Sequence, residues 1–293
     1  MGWNDGGVRR GGRAARRGGS APLRVYGSFA RTGNWSDLGN VVLLCIDIGN
    51  TNTVLATFDG DKLVHNWRIK TDARSTADEL GLMFRGLLAG DAVEVTGVAA
   101  CSTVPAALRS LRTMLGRYYG ELPNVVVEPG VKTGVQLAID NPKEVGADRV
   151  VNTLAAHTLY GGPSIVVDFG TTTNFDVISA KGEFLGGAFA PGIEISFDAL
   201  AARAAQLRKV EPAQPRSVIG KNTVECLQSG MYYGFAGQVD RIVERMIEEI
   251  GPVKAVIATG GLAGLVKDEC RTLTAHEPMI TLIGLRMVYE RNV

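Results

Sequence analysis

The sequence predicts an α/β protein made of two copies of one unit, each a mixed β-sheet with flanking helices, facing each other across a cleft. Three observations carry this reading. Asp47-Ile48-Gly49-Asn50-Thr51 and Asp168-Phe169-Gly170-Thr171-Thr172 share the form Asp-apolar-Gly-polar-Thr. Each follows an apolar strand and leads into a second strand, a turn and a returning strand. The two pentapeptides lie 121 residues apart, about the length of one domain. One such pentapeptide is a weak signal, whereas two at matching places point to a duplication.

Residues 1–40 carry seven arginines, two aspartates and many glycines, without apolar periodicity. Such a segment cannot bury enough surface to offset the entropy of ordering it, so it is expected to be a disordered extension or to precede a start near Val41 or Val42. The folded pattern then divides into an N-terminal lobe over 41–160 and a C-terminal lobe over 161–293.

In the first lobe, the continuous apolar run 41–48 reads as a buried strand, followed by strands at 53–58 and 62–69 around Asp59-Gly60-Asp61. Ser75 or Thr76 caps a helix to about Leu88, with Leu80, Met83, Phe84, Leu87 and Leu88 on one face. A strand at 95–102, a helix opened by Pro105 to about Tyr119, a short strand at 124–127 and a helix at 145–160 complete the lobe. In the second lobe, strands at 165–168, 175–179 and 183–189 repeat the meander. Helices at about 194–207 and 223–249, a strand at 253–258 ending in Thr259-Gly260-Gly261, a short helix and a final helix near 284–291 follow.

Composition narrows the function. A chain of 293 residues with 45% hydrophobic and 21% charged residues can build two modest cores. Without the +5 of residues 1–40 the remainder is −4, which gives no electrostatic ground for nucleic-acid binding. No apolar run has the length of a membrane span. Cys45, Cys101, Cys226 and Cys270 show no metal-ligand spacing and read as buried thiols in a reducing, cytoplasmic setting. His65, His157 and His276 have no partner pattern.

The two turns suit a nucleotide. Gly49 and Gly170 let backbone amides approach phosphate oxygens, and Asn50, Thr51, Asn52, Thr53, Thr171 and Thr173 add neutral donors. A carboxylate at a strand end, Asp47 or Asp168, can hold Mg²⁺ directly or through water. The Walker A pattern is missing: Gly220-Lys221 is followed by Asn222, and Pro215 stands where the first glycine belongs. No G-x-G-x-x-G follows a strand, so P-loop and dinucleotide-binding folds are set aside.

This layout resembles the superfamily of actin, the sugar kinases and the heat-shock ATPases, with ribonuclease H-like (actin-like ATPase) domains. The resemblance implies ATP in the interdomain cleft, two turns on the β- and γ-phosphates, and a third glycine turn, here Thr259-Gly260-Gly261, on adenosine. The residues between the turns resemble the type III pantothenate kinases more specifically. They are Pro129-Gly130, Thr133-Gly134, Asn141-Pro142-Lys143-Glu144-Val145-Gly146-Ala147-Asp148-Arg149, Asn152, Ala190-Pro191-Gly192 and Gly220-Lys221-Asn222-Thr223. The resemblance covers about 42–293.

It implies ATP-dependent phosphorylation of pantothenate to 4'-phosphopantothenate, the first step of coenzyme A biosynthesis, with Asp148 as catalytic base. It further implies ATP binding by Asp47, Ile48, Gly49, Asn50, Thr51, Asn52, Thr53, Val54 and Thr171. Pantothenate would meet Gly146, Ala147, Asp148, Arg149 and Thr223. Asp168 would hold a monovalent cation, K⁺ or NH₄⁺, and the family works as a homodimer; Asp47, as a strand-end carboxylate, is the expected Mg²⁺ site, through water or directly. Gly230, Gly234 and Gly237 on the 223–249 helix permit a close contact there, between subunits or within one.

Independent chemistry agrees. Phosphoryl transfer needs positioning, charge stabilisation and a carboxylate near the attacking hydroxyl. Asp148 opens a helix, where the dipole favours a carboxylate, and Arg149 suits an acidic substrate. Two departures stand out. Ile139 occupies the position of a usual tyrosine substrate contact, and the second turn reads Gly170-Thr171-Thr172-Thr173-Asn174 rather than Gly-Thr-Ala-Thr-Thr. Ile139 keeps open a same-fold kinase for another small hydroxy acid. A catalytically weak nucleotide-binding regulator is the other alternative, against which the retained Asp148 stands.

Overall fold

The structure is a computed structural model, and it describes residues 42–90, 94–203 and 210–293. The expected extension over 1–40 and the end of the 194–207 helix lie outside the described residues.

The first sheet contains β1 (Val42–Ile48), β2 (Asn52–Asp59), β3 (Lys62–Lys70), β4 (Gly97–Ser102) and β5 (Asn124–Val126), in the order β3-β2-β1-β4-β5. The second contains β6 (Ser164–Phe169), β7 (Thr172–Ile178), β8 (Phe184–Pro191), β9 (Ala255–Thr259) and β10 (Ala275–His276), in the order β10-β9-β6-β7-β8. Read from the meander edge, the two orders are the same. In each sheet the meander strands pair antiparallel and the later strands parallel. Even the irregularities match, with a register shift at Thr57/Phe58 in one meander and at Val177/Ile178 in the other. The duplication expected from two pentapeptides thus extends through two whole sheets. The two-residue strand β10 carries no apolar run and leaves no sequence signal.

The helices are α1 (Ala77–Gly90), α2 (Pro105–Tyr118), α3 (Ala147–Tyr160), α4 (Ile193–Arg203), α5 (Thr223–Ile250), α6 (Ala263–Val266) and α7 (Ile280–Tyr289). Thr76 and Glu79 form a reciprocal cap at α1: the Thr76 amide donates to Glu79 Oε2 at 2.7 Å and the Glu79 amide to Thr76 Oγ1 at 3.3 Å. Asn222 caps α5 by accepting from the Glu225 amide at 3.0 Å. A 3₁₀ turn over Pro142–Glu144 precedes α3, so the helix begins after Gly146 rather than at Val145. The last helix lies one turn earlier than expected.

Both central strands are apolar on both faces, and the alternation shows which layer each face serves. Leu43 and Cys45 of β1 face one core with Val151, Leu154, Leu285 and Val288, while Leu44, Ile46 and Ile48 face another with Phe84, Leu111 and Met114. In β6, Val166 joins the first of these cores, while Ile165, Val167 and Phe169 face a third with Tyr232, Val239 and Val243 of α5. The layers therefore run α1 and α2, first sheet, α3 and α7, second sheet, α5. The middle layer is tight: a Cβ on Gly284 of α7 would lie 2.2 Å from the Val151 carbonyl oxygen of α3.

Cys45, Cys101 and Cys270 are buried, but Cys226 is exposed, which corrects the expectation of four buried thiols. It sits in the first turn of α5, whose core-facing side is taken by Ser229, Met231 and Tyr232. Among the described residues no helix is long and apolar enough to cross a membrane.

Candidate functional site

Asp47 and Asp168 occupy equivalent positions near the ends of β1 and β6, and both hairpins close the same way. The Gly49 amide donates to the Asn52 carbonyl at 3.0 Å, and the Gly170 amide to the Thr172 carbonyl at 3.0 Å. The first turn is one residue longer, since Ile48 pairs with Thr53 but Phe169 with Thr173. The turns meet across the cleft, with the Thr51 and Thr171 hydroxyls 2.9 Å apart. Ala190-Pro191-Gly192 braces the second turn: the Gly192 amide donates to the Thr171 carbonyl at 3.1 Å, and a Cβ there would lie 2.2 Å from that oxygen. Gly260 makes the third close approach. It has φ +90, and a Cβ on it would lie 2.4 Å from Asp168 Oδ1 and 2.6 Å from the Phe169 amide nitrogen.

α3 brings Asp148 and Arg149 to this cleft. Asp148 lies in the first turn, where its own amide and that of Arg149 favour the charged form. Gly146 leaves room for the carboxylate, because a Cβ there would be 2.4 Å from Asp148 Oδ1. Arg149 extends the other way, with Nε at 2.7 Å and Nη2 at 2.5 Å from Asp176 Oδ1 on β7. The guanidinium lies between the Phe184 and Phe189 rings, 4.9 and 4.5 Å from their centroids. Phe189 is 65% exposed, so this pocket keeps an open aromatic wall. Ile139 lies against Gly186 of β8, the strand that carries Phe184 and Phe189. The aromatic surface near Arg149 therefore comes from β8.

The electrostatics are those of carboxylates crowded out of water. Burial, then the neighbouring Asp148 charge, pushes Asp47 up to about 7; the Cys101 thiol, donating to Asp47 Oδ1 at 3.3 Å, acts the other way. Burial, then Asp148, Asp176 and Asp47, pushes Asp168 up to about 8. Burial raises Asp176 to about 6 against the pull of Arg149, and it raises Asp148 as well. Asp148 Oδ1 and Asp176 Oδ2 are buried without a hydrogen-bond partner.

Such a site is short of positive charge, and its donors are oxygens suited to hard cations. Among the described residues no group of three histidine, cysteine, aspartate or glutamate side chains converges as a metal site. A cation here would need one or two carboxylates completed by water and phosphate, the manner in which Mg²⁺ is usually held.

Of the residues singled out in the sequence, Asp47, Gly49, Thr51, Gly146, Asp148, Arg149, Asp168 and Thr171 are brought together around one cleft. Ile48 is buried, its side chain in the α1–α2 core, and Thr53 is buried with its hydroxyl 2.9 Å from that of Thr71. Asn50 and Asn52 lie in the first turn, with Val54 and Ala147 half-buried beside it and at the start of α3. Thr223 is exposed at the start of α5 and makes no hydrogen bond to the cleft among the described residues. Sequence reasoning missed Asp176 and Arg68, and it read Cys101 only as a buried thiol, not as the neighbour of Asp47. A lone aspartate inside the apolar β7 pattern was the signal for Asp176. Nothing local marks the other two.

A family model described as type III pantothenate kinase matches residues 43–245. The type III pantothenate kinase of Salinispora arenicola is 87% identical over 252 residues, covering 86% of this chain and 100% of the relative. That of Acidothermus cellulolyticus is 66% identical over 254 residues, covering 86% and 99%. Among solved structures, the activator of the 2-hydroxyisocaproyl-CoA dehydratase from Clostridium difficile with bound ADPNP superposes with a TM-score of 0.53 at 10% identity, covering 86% of this chain and 96% of that one. The ethanolamine utilization protein EutJ from Carboxydothermus hydrogenoformans gives 0.52 at 17% identity, with coverages of 86% and 91%. These distant likenesses carry the duplicated actin-like ATPase fold and nothing finer.

Proposed function

The chain belongs to the type III pantothenate kinase family, and on that premise we propose that Asp148 is the general base of its reaction. The reaction is ATP-dependent phosphorylation of pantothenate to 4'-phosphopantothenate. One observation carries the assignment of Asp148: it opens α3 with Oδ1 buried and unpartnered, where its charge also bears on Asp47 and Asp168. Its unpartnered Oδ1 offers a lone pair to the primary hydroxyl of pantothenate. As the hydroxyl oxygen forms its bond to the γ-phosphorus and the bond to the β-bridging oxygen breaks, the proton passes to Asp148.

The segment Asp47–Val54 and Thr171 bind ATP in this reading. It is supported by the matching turns that the Gly49 and Gly170 amides close and by two hydroxyls already facing each other. Gly146, Ala147 and Arg149 bind pantothenate, whose carboxylate matches the guanidinium held between two phenylalanine rings. Asp168 takes a monovalent cation and Asp47 Mg²⁺, through water or directly. The cations would supply charge neutralisation to the phosphates.

A homodimer completes the proposal. A Cβ added at Gly230, Gly234 or Gly237 of α5 would meet nothing within 4 Å, and Phe189, Val218 and Ile219 are 65%, 60% and 69% exposed. Thr223, beside this surface, would reach pantothenate. The proposal also keeps the two-lobe division at about residue 160, where Gly161 ends α3 with φ 76.

The test is turnover of pantothenate by the full chain with Mg²⁺, in potassium against sodium buffer, beside Asp148→Asn. Removal of a general base lowers kcat by about 10²–10⁴-fold. Potassium-favoured turnover with that loss is the expected result, ATP binding being retained. An Asp148→Asn enzyme turning over at the wild-type rate would take the base away from Asp148.

A further inference from the structure

We propose that Arg68 is the arginine that contacts the polyphosphate of ATP, placed between the two phosphate turns and the glycine turn after β9. The inference rests on the nucleotide reading above and adds a residue to it. Arg68 belongs to β3, where it pairs with Val54 at the end of the first turn segment. Alternation along β3 points Trp67 and Ile69 inward and Arg68 outward.

The guanidinium nevertheless reaches the other sheet. A Cβ on Gly261 would lie 2.9 Å from Arg68 Nη1, so the glycine leaves the space the arginine needs. Among the described residues Arg68 makes no salt bridge and no hydrogen bond, although its charge acts on both Asp47 and Asp168. An exposed arginine without a partner ordinarily points into solvent. This one lies across the cleft, within the field of the carboxylates that end both phosphate strands.

Charge balance supplies the second argument. Asp47, Asp148, Asp168 and Asp176 crowd the cleft, and the Nε–Nη2 edge of Arg149 is engaged by Asp176. A polyphosphate adds more negative charge to a place already short of cations. An arginine with its fork unengaged is suited to two phosphate oxygens at once, and its planar group loses little freedom on binding. Because Arg68 comes from the first sheet and Gly261 follows the second, a phosphate held there would also tie the lobes together.

The experiment is calorimetric titration of full-length wild type, Arg68→Gln and Arg68→Lys with ATP, ADP, AMP and adenosine. Thermal melting without nucleotide runs alongside, as does the KM for ATP in the pantothenate assay. Loss of charge-assisted hydrogen bonds is expected to weaken ATP binding by about 10- to 100-fold in Arg68→Gln. Lysine should recover part of that loss, adenosine should bind all three proteins equally, and the unliganded melting temperatures should coincide at pH 5, where Asp47 and Asp168 keep their protons. ATP affinity in Arg68→Gln within twofold of wild type would overturn the proposal. So would an equal loss for adenosine, which would make Arg68 a nucleoside-side or structural residue. Wild type that binds no ATP would sink the nucleotide reading itself, an outcome separate from an active wild type matched by Arg68→Gln.

Discussion

The Thr51 and Thr171 hydroxyls are hydrogen-bonded to each other at 2.9 Å, across two sheets and 120 residues of chain. Each hydroxyl has one proton to donate, and here one is spent on the other. In the proposed ATP complex, phosphate oxygens between the turns would let both hydroxyls donate to the ligand, so binding would exchange one neutral bond for two charge-assisted ones. Thr51→Val and Thr171→Val should each raise the KM for ATP about tenfold, as expected for one hydrogen bond to a charged group. The KM for pantothenate should stay within twofold. Because the two share a partner, the double variant should lose less than the product of the singles. Steady-state kinetics on all four proteins checks this, and strictly multiplicative losses would show that the threonines act apart.

The protonation of the cleft makes a prediction about stability. Asp168 and Asp47 are raised from 3.8 to about 8 and about 7 in the fold. Between about pH 4 and pH 8 the unfolded chain therefore releases protons that the folded cleft keeps, and stability falls as pH rises through that window. Asp148 and Asp176 act in the same sense on Asp168, and Arg68 opposes them. Cations held there as proposed would compete with those protons, so K⁺ or Mg²⁺ should raise the melting temperature at pH 8 and do little at pH 5. Asp168→Asn should flatten the profile, melt several degrees above wild type at pH 8 without cations, and lose the potassium response. Melting curves across pH would settle it; a wild-type profile flat from pH 4 to 8 would contradict the account.

Much of this was legible in the sequence because strands advertise themselves through alternation and turns through glycine. An aspartate closing an apolar run is costly, so Asp47 and Asp168 stood out, and with them the repeat. Gly146-Ala147-Asp148-Arg149 was legible because it is contiguous. Partnerships between distant strands were not: Asp176 meets Arg149 only once β7 pairs with β6 and α3 docks beside them. Arg68 looks like any exposed strand residue until the Gly260-Gly261 turn of the other lobe is placed against it. The α7 pattern said that the helix was apolar, but not that it lies between two sheets rather than on the outside of one. Periodicity reports how much of a helix is buried, and only the fold reports by what.

That middle layer can be tested by a single methyl group. Alanine is the better helix former, so Gly→Ala in a helix ordinarily stabilises by about 0.5–1 kcal/mol. Gly284 should behave oppositely. Its new Cβ would meet the Val151 carbonyl oxygen at 2.2 Å, the carbonyl carbon at 2.7 Å and the Val151 Cβ at 2.9 Å, and backbone cannot rotate out of the way. α7 would have to back away from α3, loosening a core shared by β1, β4 and β6. Gly284→Ala should cost about 1–3 kcal/mol, the usual price of overpacking. Gly86 on α1 is the control, since a Cβ there meets nothing within 4 Å and Gly86→Ala should hold or raise stability. Because α3 carries Asp148 and Arg149 in its first turn, displacement of α7 should also lower kcat, which Gly86→Ala leaves untouched. Urea denaturation of the two variants decides the matter: equal or greater stability of Gly284→Ala would mean that α3 and α7 do not pack as closely as the core implies.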